Sequence, residues 1–175
     1  MSTPRQDDDG LSLIEVIVYV VVLGILMIVV TMIFINTWTA QASVASQTQA
    51  TTRGQLVASQ FERALRNAVD YSIEESGTVL KINTTFTGTR QCQGFALTDS
   101  GLAMTITSNN AEQPIADWPI WQDRVEAITG TTPFTDVDST TIAYAFNAVS
   151  DSAPVRFTGD TYMRNQRAGM DGCWE

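Results

Sequence analysis

The sequence contains no histidine, a single lysine and only two cysteines. Without histidine, the chain cannot form a histidine-based catalytic triad, a histidine metal site or a histidine acid–base pair. Its ten basic residues form no Lys- or Arg-rich run, and the net charge is −9. An acidic chain of this kind is weakly attracted to a phosphate backbone, so the composition argues against general nucleic-acid binding.

The sequence also lacks a phosphate-binding loop, a nucleophile elbow and paired metal ligands. Asp136 and Asp138 are weak candidates for calcium binding, because the surrounding segment does not supply a full set of oxygen ligands. We therefore predict no catalytic residues and no cofactor, and we interpret the chain as non-enzymatic. A membrane-tethered hydrolase that uses Asp or Glu stays as a rival hypothesis, because sequence cannot place two carboxylates around a substrate.

An uncharged apolar run of 20 residues, Val16–Ile35, lies near the start of the chain. A helix of this length rises about 30 Å, which matches the hydrocarbon thickness of a bilayer. A secretory signal has a shorter apolar core, although Ala40 to Ala42 is similar to a signal cleavage site. The run therefore predicts a membrane-spanning helix. Arg5 precedes it and the next basic residue is Arg53, which places the bulk of the chain outside the cytoplasm.

A carboxylate, Glu15, stands at the front of this run, between Ile14 and Val16. An ionisable group at membrane depth costs about 3 kcal/mol on insertion scales and is usually functional. No Lys or Arg lies within a helical turn of Glu15. Two interpretations follow. Glu15 lies ionised at the headgroup level, where the helix dipole favours it, or it pairs with a cation from another chain.

The string Gly10-Leu11-Ser12-Leu13-Ile14-Glu15-Val16 resembles the prepilin signature of type IV pilins and type II secretion pseudopilins. The resemblance covers roughly residues 10–40. It implies that a prepilin peptidase cleaves between Gly10 and Leu11, and that the new Leu11 amine is N-methylated. It also implies that this amine pairs with Glu15, the fifth mature residue, of a neighbouring subunit. Because desolvation offsets much of the attraction, such a pair sets register more than it adds stability.

The chain departs from the usual signature at three places. Asp7 to Asp9 precede Gly10 where basic residues are usual, and Leu11 replaces the commoner phenylalanine. Met32 stands where many members have a helix-bending proline. These differences leave the efficiency of leader processing open and predict a straighter helix.

Helical character is predicted to continue past the membrane over residues 36–70. Residues 36–55 are mainly small and polar, and Gly54 weakens a helix, so a flexible linker is the alternative for this stretch. Further on, apolar residues fall on one helical face, which is typical of a helix packed on a sheet. They are Val57, Phe61, Ala64, Leu65 and Ala68. We expect one helix from about Leu13 to Asp70.

Residues 71–175 are predicted to form a β-rich head. Alternating patterns predict strands at Thr78–Asn83, Gln93–Leu97, Leu102–Thr107, Thr140–Phe146 and Val155–Thr158. Asp99-Ser100-Gly101 predicts a hairpin turn. Pro119 and Gly130 favour a short helix within Asp117–Gly130. The predicted fold class is α+β, with a long N-terminal helix packed on one small antiparallel β-sheet of four or five strands.

The two cysteines, Cys92 and Cys173, both fall in the predicted head. Two cysteines in a small exported domain are more often a disulfide than a metal site, with buried free thiols as the alternative. The disulfide would close a loop of 82 residues (173 − 92 + 1) and hold the C-terminal tail on the sheet. Trp118, Trp121 and Trp174 are candidates for a sugar- or partner-binding surface, but tryptophan in a small head is more often a core residue.

These features divide the chain into a cleavable leader (1–10), a transmembrane and polymerisation helix (11–35), a continuing amphipathic helix (36–70) and an extracytoplasmic head (71–175). The resemblance implies a minor pilin or pseudopilin, made as a single-pass inner-membrane protein and incorporated into a pilus or pseudopilus. It also implies three kinds of partner: other pilin subunits through the N-terminal helix, a prepilin peptidase and a membrane assembly platform, with membrane lipid around the helix.

The alternative function is a single-pass membrane-anchored extracytoplasmic binding protein that does not polymerise. The sequence leaves open whether the machine serves adhesion, twitching motility, protein secretion or DNA uptake.

Overall fold

The computed structural model describes residues 13–85, 88, 90–107 and 114–164. The chain divides into two compact units, residues 1–43 and residues 44–175. Helix α1 occupies Leu13–Arg66, and nine strands follow it within the described residues. They are β1 (Ala68–Glu74), β2 (Val79–Thr84), β3 (Gln91–Thr98), β4 (Gly101–Thr107), β5 (Ile120–Gln122), β6 (Val125–Ala127), β7 (Phe134–Asp136), β8 (Thr141–Ala148) and β9 (Val155–Tyr162). This arrangement confirms the α+β class.

The strands of the second unit form two antiparallel sheets, where the sequence predicted one. The first sheet has the order β1-β2-β3-β4-β5. In the second, β8 is central: β9 pairs along its whole length, and β6 and β7 pair with its two ends along the other edge. Strands β5, β6 and β7 have three residues each, so their sequences are too short to show a period-two pattern.

The core of the second unit is centred on Phe61 of helix α1. Its ring makes edge contacts with Phe95 of the first sheet, at a centroid distance of 4.9 Å, and with Phe134 of the second sheet, at 5.2 Å. Such edge-to-face pairs add about 1 kcal/mol each beyond the burial of their area. One helical side chain therefore holds both sheets. The predicted apolar stripe is confirmed for Val57, Phe61, Ala64 and Leu65, which are buried on α1, whereas Ala68 is buried in β1.

The C-terminal end of α1 lies four residues earlier than predicted, at Arg66 instead of Asp70. Ala68–Glu74 pairs with β2 and forms the first strand. The alternation of Val69, Tyr71 and Ile73 suits a strand, and the pairing overrides the helical spacing of Ala68. The predicted continuation of the helix over residues 36–55 is confirmed, because these residues are helical throughout, and the alternative of a flexible linker is wrong.

The β3–β4 hairpin confirms the predicted turn. Thr98 and Gly101 are cross-strand partners, with Asp99 and Ser100 between them. The Thr98 hydroxyl donates a hydrogen bond of 2.9 Å to the Gly101 carbonyl oxygen. Gly101 has a φ of 133°, a backbone conformation that favours glycine. The remaining predicted strands are also present, with ends that differ by at most four residues.

The short helix predicted within Asp117–Gly130 is wrong. The segment contains β5, which pairs with β4, and β6, which pairs with β8. Between them Arg124 has a φ of 55°, a left-handed conformation that a continuing helix excludes. Its carbonyl oxygen accepts a hydrogen bond from the Val149 amide at 2.8 Å. Pairing with the edges of two sheets therefore decides the conformation of this segment.

Candidate functional site

The apolar run Val16–Ile35 lies within α1 and leaves its side chains uncovered. In the part of the chain that the structure describes, α1 is the one helix that is long and apolar enough to cross a membrane. Its large apolar side chains between these two residues are 46–64% exposed. Exposure of this much apolar surface in water would be strongly unfavourable, so lipid or other helices must cover it.

Hydroxyl groups within the apolar helix bond to the helix itself. Thr31 Oγ1 donates to the Met27 carbonyl oxygen at 2.7 Å. Thr37 Oγ1 donates to the Ile33 carbonyl oxygen at 2.8 Å. These bonds satisfy polar groups where no water is present, so the two threonines are compatible with a lipid environment.

An aromatic pair marks the end of the apolar run. The rings of Phe34 and Trp38 lie 6.1 Å apart, and Trp38 is 66% exposed. Tryptophan is enriched where hydrocarbon meets the polar headgroups, since its ring is apolar and its N–H needs a polar partner. Trp38 therefore suits the position at which the helix leaves the membrane.

Glu15 lies in the first turn of α1, as the sequence predicted. The Tyr19 hydroxyl donates a hydrogen bond to Glu15 Oε1 at 3.4 Å, one helical turn further along. Sequence reasoning considered only basic partners for Glu15 and missed this tyrosine, although the spacing of four residues was a readable signal. Gly10 and Leu11 lie outside the described residues, so cleavage, N-methylation and the charge pair stay predictions.

A second carboxylate, Glu62, links the helix to the second sheet. Its Oε1 accepts a hydrogen bond from the Tyr144 hydroxyl at 3.1 Å, and its Oε2 pairs with Arg66 at 2.6 Å. Burial, followed by the hydrogen bond to Glu62, raises the pKa of Tyr144 to about 12. The bond to Tyr144 was not predicted from sequence, because Tyr144 is distant from Glu62 along the chain, whereas Arg66 is only four residues from Glu62.

The calcium candidates differ in what they contact. Asp138 Oδ1 accepts three hydrogen bonds, from the Thr140 amide at 2.8 Å, the Thr140 hydroxyl at 2.7 Å and the Thr141 amide at 2.8 Å. These bonds lower the pKa of Asp138 and close the turn before β8. The described residues contain no group of three or more His, Cys, Asp or Glu that could hold a metal ion. Asp138 is thus a turn-forming residue, and Asp136 is an exposed residue of β7.

The described tryptophans of the head pack inside it. Trp118 is 4% exposed, and its ring lies where a Cβ at Gly94 would project. Trp121 packs against the main core. Trp118 is therefore a core residue, which is the interpretation that the sequence favoured, whereas Trp121 is partly buried. Trp174 lies outside the described residues.

Cys92 is buried in β3, at 2% exposure. Cys173 lies outside the described residues, so the pairing of the two cysteines stays a prediction. It is supported by the lack of a free cysteine in the described part of the chain.

Residues 5–31 match the family model described as the prokaryotic N-terminal methylation motif. The matched segment contains Gly10, Leu11 and Glu15 and ends within the apolar run, before the head. No curated protein and no solved structure matches the chain.

Proposed function

We propose that this chain, which carries the prepilin signature of the type IV pilins and pseudopilins, is a minor pilin or pseudopilin that enters a filament through its N-terminal helix. The observation that carries the proposal is the combination of the matched motif with α1. A carboxylate stands at the front of the apolar run Val16–Ile35 of α1, whose large side chains are uncovered along the whole run. This arrangement supports a helix that first lies in lipid and then packs among the helices of other subunits.

Glu15 and Leu11 would supply the specific contact between subunits. Cleavage after Gly10 would create a positively charged amine at Leu11, and Glu15 of the neighbouring subunit would accept it. In a low-dielectric setting the attraction between opposite charges is large, but each charge loses its hydration. The pair would therefore select one register of neighbouring helices and reject others in which a charge is left unpaired.

The cellular location follows from the same helix. The apolar run would hold the chain in the inner membrane as a single span. The single basic residue before the run, Arg5, favours a cytoplasmic N-terminus and an extracytoplasmic head. A prepilin peptidase and a membrane assembly platform would be its partners during processing and extraction. The long head favours a minor or initiating subunit over the bulk fibre protein.

Mass spectrometry of the mature N-terminus tests this proposal. The chain is expressed together with a prepilin peptidase, extracted from membranes and digested. We expect a first residue of N-methylated Leu11. The same chain expressed without the peptidase should keep its leader and serves as the control. An intact Met1 in the presence of active peptidase, or a chain that begins at Ser43, would contradict the proposal and favour an anchored or secreted binding protein.

A further inference from the structure

Tyr19 is the side chain that the structure places against the Glu15 carboxylate. The two residues are four apart on α1, and the tyrosine hydroxyl lies 3.4 Å from Oε1 of the glutamate. The other carboxylate oxygen, Oε2, has no hydrogen bond among the described residues. One oxygen of the carboxylate is therefore engaged within the chain, and the other is open.

The membrane makes this contact more significant than it would be in water. Water competes for an exposed carboxylate, so a long side-chain hydrogen bond on a soluble helix adds little. In hydrocarbon no such competitor exists, and an ionised carboxylate without a donor is costly. A carboxylate can accept about four hydrogen bonds, so the tyrosine hydroxyl leaves room for a further donor. The residues between them, Val16 to Val18, offer no side-chain donor.

We infer that Tyr19 is a positioning residue for Glu15: its hydroxyl holds Oε1 and turns Oε2 toward the amine of an incoming subunit. This inference rests on the proposed function. Fixing the rotamer of Glu15 before the partner arrives removes part of the entropy cost of forming the charge pair. The hydroxyl is neutral, so it stabilises the carboxylate without replacing the cation that the neighbour supplies.

A competing explanation is that Tyr19 is an interfacial aromatic residue that acts through its ring alone. Tyrosine is common at membrane interfaces for this reason. Replacement by phenylalanine separates the two explanations, because it removes the hydroxyl and keeps the ring. The effect of the hydroxyl must also depend on Glu15 if the tyrosine acts through it, which a double-mutant cycle measures.

The experiment compares the full chain with Tyr19→Phe, Glu15→Ala and the double variant in cells that assemble filaments. Tyr162→Phe, which removes an exposed hydroxyl from the head, is the matched control. We expect Tyr19→Phe to leave membrane insertion and leader removal unchanged and to lower incorporation into filaments about fivefold. In the Glu15→Ala background the same change should have no further effect. Normal incorporation of Tyr19→Phe, or an equal loss in both backgrounds, overturns the inference.

A second measurement detects the contact between Tyr19 and Glu15 without requiring filament assembly. In bilayers that contain the chain labelled with ¹³C-glutamate, the Glu15 carboxyl resonance is identified by its loss in Glu15→Gln. We expect this resonance to shift in Tyr19→Phe and to stay unchanged in Tyr162→Phe. An unmoved resonance overturns the inference even if assembly falls. If Glu15→Ala itself enters filaments normally, the charge pair of the proposed function fails, and the resonance still shows whether Tyr19 contacts Glu15.

Discussion

The ring of Phe157 lies in the space into which a side chain at position 54 would project. Phe157 belongs to β9 and stacks on Phe146 of β8, with ring centroids 5.3 Å apart and nearly parallel planes. Gly54 thus lets the second sheet approach the helix closely. Gly54 lowers the helix propensity of this part of α1, but the packing of the second sheet on α1 requires a residue without a side chain at this position.

Replacing Gly54 by alanine should destabilise the head. The change gains about 1 kcal/mol of helix propensity, but the new methyl group would overlap the Phe157 ring, and overpacking of this kind costs about 1–3 kcal/mol or more. We expect a net loss of up to about 2 kcal/mol. Thermal unfolding of the full chain in detergent, followed by near-ultraviolet circular dichroism, measures it. Gly24→Ala is the control, because nothing lies within 4 Å of a Cβ at that position. A stabilised Gly54→Ala head would show that this packing is wrong.

Replacing Tyr144 by phenylalanine should remove one of two bonds to Glu62. Arg66 still pairs with the carboxylate, so no buried charge is left alone, and the expected loss is about 1 kcal/mol at neutral pH. Chemical denaturation of the full chain measures this difference. Tyr162→Phe, at an exposed position, should change the unfolding free energy by less than about 0.5 kcal/mol. Equal stability of Tyr144→Phe and the unmodified protein would contradict a role for the network.

The head should lose stability at alkaline pH. Tyr144 and Tyr71 each have a pKa raised from 10.0 to about 12, in both cases mainly by burial. The folded protein binds these two protons more tightly than the unfolded chain, so their contribution is complete below pH 10.0 and is lost as pH rises toward about 12. Denaturation at a series of pH values should show this decline. Tyr144→Phe should reduce its slope, and an unchanged slope would argue against the raised pKa.

Replacing Cys92 by serine should destabilise the head and release its C-terminal tail. A disulfide to Cys173 would close a loop of 82 residues (173 − 92 + 1), for which the chain-entropy model gives about 4–5 kcal/mol as an upper value. Cys173→Ser should have a similar effect, and the double variant should add little. Thermal unfolding gives the stabilities, and alkylation with and without reductant gives the number of free thiols. Two thiols alkylated without reductant would show that the disulfide is absent.

Replacing Glu15 by alanine should impair assembly but not membrane insertion. The apolar run is unchanged, so the chain still inserts and its leader is still removed. In the proposed charge pair, loss of the carboxylate would leave the Leu11 amine of the adjacent subunit without its partner in the apolar helix bundle. We expect filament incorporation to fall at least tenfold, measured by immunoblotting of sheared filaments against the membrane fraction. Glu15→Asp, which keeps the charge on a shorter side chain, should be affected less. Normal incorporation of Glu15→Ala would contradict the charge pair.

Local sequence patterns were sufficient to predict an element wherever an interaction within that segment determines its structure. The uncharged run predicted the membrane helix because hydrocarbon forces a single chain to satisfy its own backbone hydrogen bonds. The stripe that contains Val57, Phe61 and Leu65 predicted the buried face of α1, because burial follows the helical repeat. Asp99 to Gly101 predicted the hairpin, because the turn needs a residue that tolerates its backbone angles.

Local patterns failed where partners distant in sequence compete for a segment. The end of α1, the strands within Asp117–Gly130 and the role of Gly54 each depend on a neighbour that no local window contains. Ala68 fits the helical repeat, yet pairing with β2 places it in a strand. Trp121 and Val125 have helical spacing, yet β4 and β8 offer open edges to their segments.

The sequence alone therefore determined that this chain has a long apolar helix with a carboxylate at its front, which continues into an amphipathic helical segment and a β-rich head. Apolar runs and backbone hydrogen bonding are local properties of the chain, so one continuous stretch of residues is enough to predict these elements. Only the tertiary structure decided that the head has two sheets held by Phe61, that Glu62 bonds to Tyr144 and that Phe157 packs over Gly54. These features depend on which side chains meet in space, a property of the whole fold that spacing along the chain does not specify.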